Sequence, residues 1–368
     1  MGQSSWSGSA SALFLGDWAS HVRGREFIVS VQDDDSIVGS APSGTERAVF
    51  GLETSEAIRA FLDDYSRQQL GSGIIRVRFR AGRIDAVWGV KLADGRTVVI
   101  KTHRRPADVQ ALRTTAEAKR VLVAAHFPCP TPLSGPDEFD GHVLTVETLI
   151  VGAVPDGRDA AVRRLLAEGL ARHIELLRPR PDLVEQAGPG PSWCHYQAGP
   201  WPVPHDTLVD FSTTTAGYEW LDDFGRRAAD QILAHRDSAP VVVGHADWYA
   251  GNTVVADGAL VGTYDWELVA DTEAVIAGFA AACHAQRQTS AGSLSAPEDV
   301  ADFMRDYDAA RAQPLSVAEQ ATAAGAAAWI CAFNARWQVA LLAHNLSDGY
   351  AHVIQVQQRQ DDYLTLHW

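Results

Sequence analysis

The chain has 368 residues, 46% of them hydrophobic and 21% charged, with a formal net charge of −15. That length suggests about two lobes and an ample core without disulfides or metals, which excludes disorder, collagen and coiled coil as whole-chain descriptions. The negative balance argues against a nucleic-acid-binding surface and is compatible with a cationic small substrate. The only lysines are Lys91, Lys101 and Lys119, so each position is informative. Cys129, Cys194, Cys283 and Cys331 are scattered without a C-x-x-C pair, which fits reduced thiols in a cytoplasmic protein. Met1–Gly16 lacks the basic start of a secretory signal, and the longest apolar run, Ala274–Cys283, is short of the ~20 residues of a membrane span. The expectation is a cytoplasmic protein with no membrane or nucleic-acid partner.

Residues 1–52 are rich in Ser, Gly and Asp, show no sustained period and read as a partly ordered extension. Helical spacing begins at Thr54, with Ala57, Ile58, Phe61 and Leu62 on one face and Gly71 as a stop. The period then changes. Ile74–Arg80, Ala86–Leu92 and Thr97–Thr102 read as strands, the last two joined by Asp94-Gly95, a strong hairpin signal. Ala107–His126 reads as a helix, Pro128, Pro130 and Pro132 forbid its continuation, and Asp140-Gly141 marks a second hairpin. From Ala160 the chain is mostly helical: Ala160–Leu177, Ala216–His235, and after residue 272 through four further segments to residue 362. Residues 178–209 look like an irregular insert. Inside this helical part, Val241–Gly244, Thr253–Val255 and Leu260–Thr263 are short strands, the last two around Asp257-Gly258. The outline is a lobe rich in strands over 53–149, then a helical lobe over 150–368.

The small hairpin carries the strongest chemical signal. It contains H-x-D-x-x-x-x-N at His245, Asp247 and Asn252, with Asp265 thirteen residues further on. A loop carboxylate can accept a proton from an attacking hydroxyl, and an amide oxygen with a second carboxylate can hold a hard cation. Such a cation neutralises charge on a transferred phosphoryl group. Upstream, Lys101 closes the apolar strand TVVIK, and Glu117 follows sixteen residues later in the next helix. A strand lysine for phosphates, paired with a helix glutamate, is the arrangement of kinases.

These residues resemble the aminoglycoside phosphotransferase and choline kinase-like family, which shares the protein-kinase fold. The likeness rests on Lys101, Glu117, the loop His245–Asn252, and Asp265-Trp266-Glu267; it spans about residues 74–345. It implies an α+β, protein-kinase-like fold with a small β-rich N-lobe and a larger helical C-lobe. It implies Asp247 as catalytic base, Asn252 and Asp265 as magnesium ligands, Lys101 on the nucleotide phosphates and Glu117 as its partner. His245 is expected to steady the loop. Hinge residues Glu147 and Leu149 would offer backbone groups to adenine, with Val146 behind them. The family's glycine-rich loop is missing; only Ala81–Asp85 joins the first two strands, and Gly82 is its expected close approach to phosphate.

The implied activity is an ATP-dependent (or GTP-dependent), Mg2+-dependent transfer of the γ-phosphoryl group to a hydroxyl of a small molecule, such as an aminoglycoside, amino sugar or other amine-bearing alcohol. Trp201, Trp220, Trp248, Asp222, Asp223, Glu267, Asp271 and Glu273 are candidates for the acceptor site, since carboxylates with aromatic walls suit a cation. The alternative is a catalytically silent nucleotide-binding or regulatory protein on the same fold. A metal hydrolase built on His245 and Asp247 lacks further ligands.

Overall fold

The computed structural model describes residues 41–199, 201–204, 209–236, 239–286, 294–343 and 351–368. Most of the expected extension, residues 1–40, lies outside these. Its last part does not stay irregular: Gly44–Phe50 forms helix α1, opened by a capping box between Ser43 and Glu46. Val49 and Phe50 are buried in the N-lobe core, and Arg80 pairs with Glu46. Helix α2 follows at Ser55–Leu70, with Thr54 accepting from the Ala57 N–H and Gly71 ending it in the left-handed region.

Five antiparallel strands come next, in the spatial order β1-β2-β3-β5-β4. They are β1 Ile74–Ala81, β2 Ala86–Leu92, β3 Thr97–His103, β4 Pro132–Phe139 and β5 His142–Thr148, with helix α3, Val109–Ala124, between β3 and β4. Period-2 alternation gives the central strands two different faces. Trp88, Val90, Val98, Ile100, Leu144 and Val146 are buried on one face and form the N-lobe core with Ile58, Leu62 and Tyr65 of α2. Val99, Lys101 and His103 of β3 alternate with that set, and the register places Glu147, Thr145 and Val143 of β5 across from them. This second face looks into the interlobe cleft. The turn at Asp140-Gly141 has positive φ at both residues, as a two-residue hairpin of this kind requires.

Helix α3 belongs to the C-lobe as much as to the N-lobe. Its Ala118 and Leu122 join the larger core together with Phe127 and Cys129. That core is built on helices α4 Ala160–Leu177, α5 Pro181–Ala187, α6 Glu219–His235, α7 Glu273–Cys283, α8 Pro297–Ala310, α9 Val317–Ala343 and α10 Ala351–Leu364. Helix α9 packs on both α6 and α7. Its run of small buried residues, Ala323 to Ala328, permits that close approach; a Cβ on Gly278 of α7 would lie 2.3 Å from the Ala323 carbonyl oxygen. The insert expected to be irregular contains α5, opened by Pro181 at its first turn.

Two small antiparallel ladders lie in the C-lobe, packed on its helices. One pairs β6 Val241–His245 with β9 Leu268–Thr272; the other pairs β7 Thr253–Ala256 with β8 Ala259–Thr263. Strand β9 carries no signal of its own in the sequence, since five residues that include Asp271 make a weak pattern. Among the described residues no helix is long and apolar enough to cross a membrane. The fold is thus a two-lobe α+β kinase-like architecture.

Five of the described histidines are buried, and four of them, His173, His245, His284 and His352, lie deep in the C-lobe. Burial disfavours their charged forms, lowering His173 to about 3 and His245, His284 and His352 to about 4. A histidine depressed on folding binds more protons when unfolded, so its neutral burial is favourable above about 6.5 and is lost as pH falls toward the folded value. One pH unit below 6.5, each such group costs about 1 kcal/mol. The melting temperature should therefore fall steadily between pH 7 and pH 5; a flat profile over that range would show that these rings are not neutral and buried.

Candidate active site

Strand pairing assembles the site. Strand β6 ends at His245 and delivers the loop of residues 246–252. The β7–β8 ladder then turns the chain back to Asp265, and β9 lies against β6 with His245 across from Leu268. The Ala246 N–H donates to the Glu267 carbonyl at 2.8 Å. The loop of residues 246–252 and the Asp265-Trp266-Glu267 segment are therefore neighbours by backbone register. Asp265 adopts φ 49°, a left-handed conformation that aspartate tolerates better than most residues.

His245 fixes the loop from below. Its Nδ1 accepts from the Asp247 N–H at 3.1 Å, so the ring proton sits on Nε2 and goes to the Tyr264 carbonyl at 2.8 Å. Its own N–H donates to His173 Nε2 at 3.2 Å. Around these rings lie Trp248, Trp266 and Phe127, with centroids 4.7–6.5 Å apart. The indole N–H groups are satisfied: Trp248 donates to the Leu166 carbonyl at 3.0 Å and Trp266 to Thr263 Oγ1 at 2.9 Å. The expected steadying role of His245 matches this geometry.

The polar residues stand above this floor. Asn252 Nδ2 donates to Asp247 Oδ2 at 2.8 Å and to the Asp247 carbonyl at 3.0 Å. Asp265 Oδ1 accepts from Lys101 Nζ at 2.7 Å across the lobes. Asp85, at the end of the β1–β2 loop, lies 3.5 Å from the same ammonium. Desolvation and then the Asp265 charge raise Asp247 to about 7 and Glu267 to about 7. Lys101 holds Asp265 below the usual carboxylate range. Burial works against the lysine charge, but Asp265 and Asp85 outweigh it and raise Lys101. Asp265 and Glu267 remain open to water on the cleft floor.

The site thus gathers Asp85, Asp247, Asp265 and Glu267 near one lysine. Like charges crowded this way are relieved by protonation or by a cation. Among the described residues no three His, Cys, Asp or Glu side chains converge as a metal cage. A hard cation that brings phosphate oxygens of its own needs only one or two protein ligands, and Asp265 with Asn252 fits that smaller demand.

Several expected roles fall elsewhere. Glu117 does not meet Lys101; it accepts from Arg180 at 3.2 and 3.3 Å and lies 3.5 Å from Arg120. The reason is the rotation of α3, whose apolar face is taken by the larger core. The α3 side chain that reaches the sheet is Lys119, paired with Glu147. Leu149 gives its N–H to the Thr97 carbonyl at 3.3 Å, so that donor is already used within the fold. Val146 points into the N-lobe core, away from the cleft. Gly82 has φ 115°, and a Cβ there would lie 1.8 Å from the Asp85 carbonyl oxygen, so its glycine serves the turn itself.

Most acceptor candidates are committed to the fold. Trp248 is core. Trp201 Nε1 donates to Asp222 Oδ1 at 2.6 Å, and Asp222 Oδ2 takes the Thr214 hydroxyl at 2.5 Å. Trp220 packs against the larger core, and Asp223 pairs with Arg226 on the surface. Asp271 binds the Tyr196 hydroxyl at 2.8 Å and Arg236 at 3.0 Å. Glu273 is held by Arg178, Arg311 and Tyr307, each at 2.7 Å. Glu267 alone of these candidates opens into the cleft beside Asp265. Sequence reasoning missed Asp85; its cross-strand position opposite His103 was the available signal.

The profile of the phosphotransferase enzyme family matches residues 76–275. The chain belongs to that family. No curated protein sequence matches it. Among solved structures, it is similar to an amicoumacin kinase, hAmiN, in complex with AMP-PNP, Ca2+ and Ami. The TM-score is 0.57 and the identity 12%, over 84% of this chain and 95% of that one. It is also similar to the aminoglycoside phosphotransferase APH(4)-Ia, with a TM-score of 0.55 and 12% identity over 86% of this chain and 100% of that one. A thermostable mutant of the latter, in a ternary complex with ADP and hygromycin B, gives 0.52 and 13% over 82% and 97%. At these identities the likeness shows the fold alone.

Proposed function

We propose that this phosphotransferase moves the γ-phosphoryl group of ATP to a hydroxyl of a small molecule, with Mg2+ as the accompanying cation. The observation that carries the reading is the cross-lobe contact of Lys101 with Asp265 beside an Asp247 carboxylate oriented by Asn252. Lys101 binds phosphate oxygens, and Asp247 accepts a hydrogen bond from the acceptor hydroxyl and orients it for in-line attack. Asp265 and the Asn252 amide oxygen are the residues that would hold the cation, which supplies charge neutralisation on the phosphates. The bond broken is that between the γ-phosphorus and the bridging oxygen; the acceptor oxygen forms the new one, and ADP leaves.

The nucleotide complexes of the structurally similar enzymes support ATP as donor, and the excess of carboxylates, which makes a bare triphosphate unwelcome, supports an accompanying cation. Incubation with ATP, Mg2+ and a panel of aminoglycosides, amino sugars and other natural-product alcohols should give an acceptor whose mass rises by one phosphoryl group. With that acceptor, Asp247→Ala should lose at least about a hundredfold in kcat, the scale of general-base assistance, while Mg-ATP affinity stays close to wild type. Normal turnover in Asp247→Ala would end the base assignment.

We infer further that the acceptor carries a positive charge, because the exposed Glu267 carboxylate stands within electrostatic reach of Asp247. Its attraction for a cation is screened by salt. The Michaelis constant for the acceptor should rise between low salt and ~0.5 M salt, and Glu267→Gln should raise it at low salt and flatten that dependence. An uncharged best acceptor, or a salt-independent constant, would count against the charge and leave the phosphotransfer reading standing.

A further inference from the structure

In β3, Lys101 and His103 share the cleft face because side chains repeat every two residues. Strand β2 pairs Ala86 with Thr102 and Val87 with Lys101. One step further along this register, Asp85 falls across from His103 and so lies on the same face. The contacts agree. Asp85 Oδ2 is 2.8 Å from His103 Nδ1 and 3.5 Å from Lys101 Nζ, and Oδ1 accepts the Arg104 N–H at 2.8 Å. His103 is itself braced by Thr145 Oγ1 of β5 at 3.0 Å. The turn at Gly82 passes so close to Asp85 that a Cβ there would lie 1.8 Å from the Asp85 carbonyl oxygen, which leaves room only for glycine in the loop that presents the carboxylate. Asp85 is mostly buried at 19% side-chain exposure, whereas Glu117 is 43% exposed and bonded to Arg180.

We propose that Asp85, presented by the β1–β2 turn and braced by His103 and the Arg104 amide, is the positioning residue for the phosphate-binding Lys101, in place of the helix glutamate Glu117. The inference rests on the phosphotransferase reading, which makes Lys101 a phosphate ligand. In that reading Asp265 is the carboxylate assigned to the cation, so Asp85 is the partner left to aim the ammonium. An ion pair at this distance biases a flexible lysine stem toward one direction, and a phosphate ligand aimed in advance costs less entropy on binding. Glu117 instead ties α3 to the C-lobe through Arg180, on the loop before α5. The β-sheet rather than the helix then sets the lysine, so a shift of α3 would leave the phosphate site in place.

Calorimetry of Mg-ATP binding to the full chain tests this without any acceptor. Asp85→Asn should weaken affinity about tenfold, the scale of one charge-assisted contact, with the melting temperature nearly unchanged. Glu117→Gln should leave affinity within about twofold of wild type. Lys101→Ala should also lose affinity, and Asp85→Asn should add little once Lys101 is gone, because coupled residues are non-additive. If Asp85→Asn also lowers the melting temperature, His103→Gln, which keeps the carboxylate and removes its ring brace, should still weaken binding. Wild-type affinity in Asp85→Asn, or tighter binding from relief of repulsion, would overturn the positioning role. A loss in Glu117→Gln equal to that of Lys101→Ala would return it to the helix. Undiminished binding in Lys101→Ala would remove the phosphotransferase reading together with the proposal.

Discussion

The pairing of β6 with β9 is the constraint on which the site depends. Five residues on each side place the loop after His245 beside the segment around Asp265, although some twenty residues separate them in the chain. Asp247, Asn252 and Asp265 come from loops, which are mobile when isolated. Here each loop is anchored at its root by a ladder and from beneath by His245, whose two ring nitrogens join one segment to the other. The aromatic floor of Trp248, Trp266, Phe127 and His173 excludes water from those bonds, so losing them would leave backbone groups buried and unpaired.

The second feature is an imbalance of charge. Four carboxylates gather where one lysine stands, and two of them, Asp247 and Glu267, are pushed to about 7 by partial desolvation between the cleft walls and by the Asp265 charge. A protein that kept such a cluster only for stability would be expected to pair it, as Asp271 is paired with Arg236 and Glu273 with Arg178 and Arg311. The carboxylates of the cleft are left with less compensation than those of the core. That contrast supports the proposed entry of a cation together with an anionic ligand.

Much of this was legible in the sequence, for identifiable reasons. The strands β2 and β3, helix α4, and the turns at Asp140-Gly141 and Asp257-Gly258 announce themselves through local period and turn chemistry. The motif His245–Asn252 with Asp265 did so through spacing, and the lobes followed. The facing of α3 was not legible. Glu117 and Lys119 lie two positions apart on one helix, on different sides, and the side that meets the sheet is decided by how Ala118 and Leu122 pack into the distant C-lobe core. Strand β9 was equally hidden, because its partner β6 lies more than twenty residues away and its own pattern is short. The acceptor candidates failed for a related reason: a count of acidic residues cannot say that Asp222, Asp271 and Glu273 already hold tryptophan, tyrosine and arginine partners.

The central claim is that this crowded cleft binds a nucleotide only together with a divalent cation. Calorimetric titration of the wild-type chain with ATP, once with Mg2+ and once with a chelator, tests it most directly. ATP alone should bind at least about tenfold more weakly than Mg-ATP, since the triphosphate then meets the carboxylates with Lys101 as its main counter-charge. Equal affinity with and without the cation would contradict the claim.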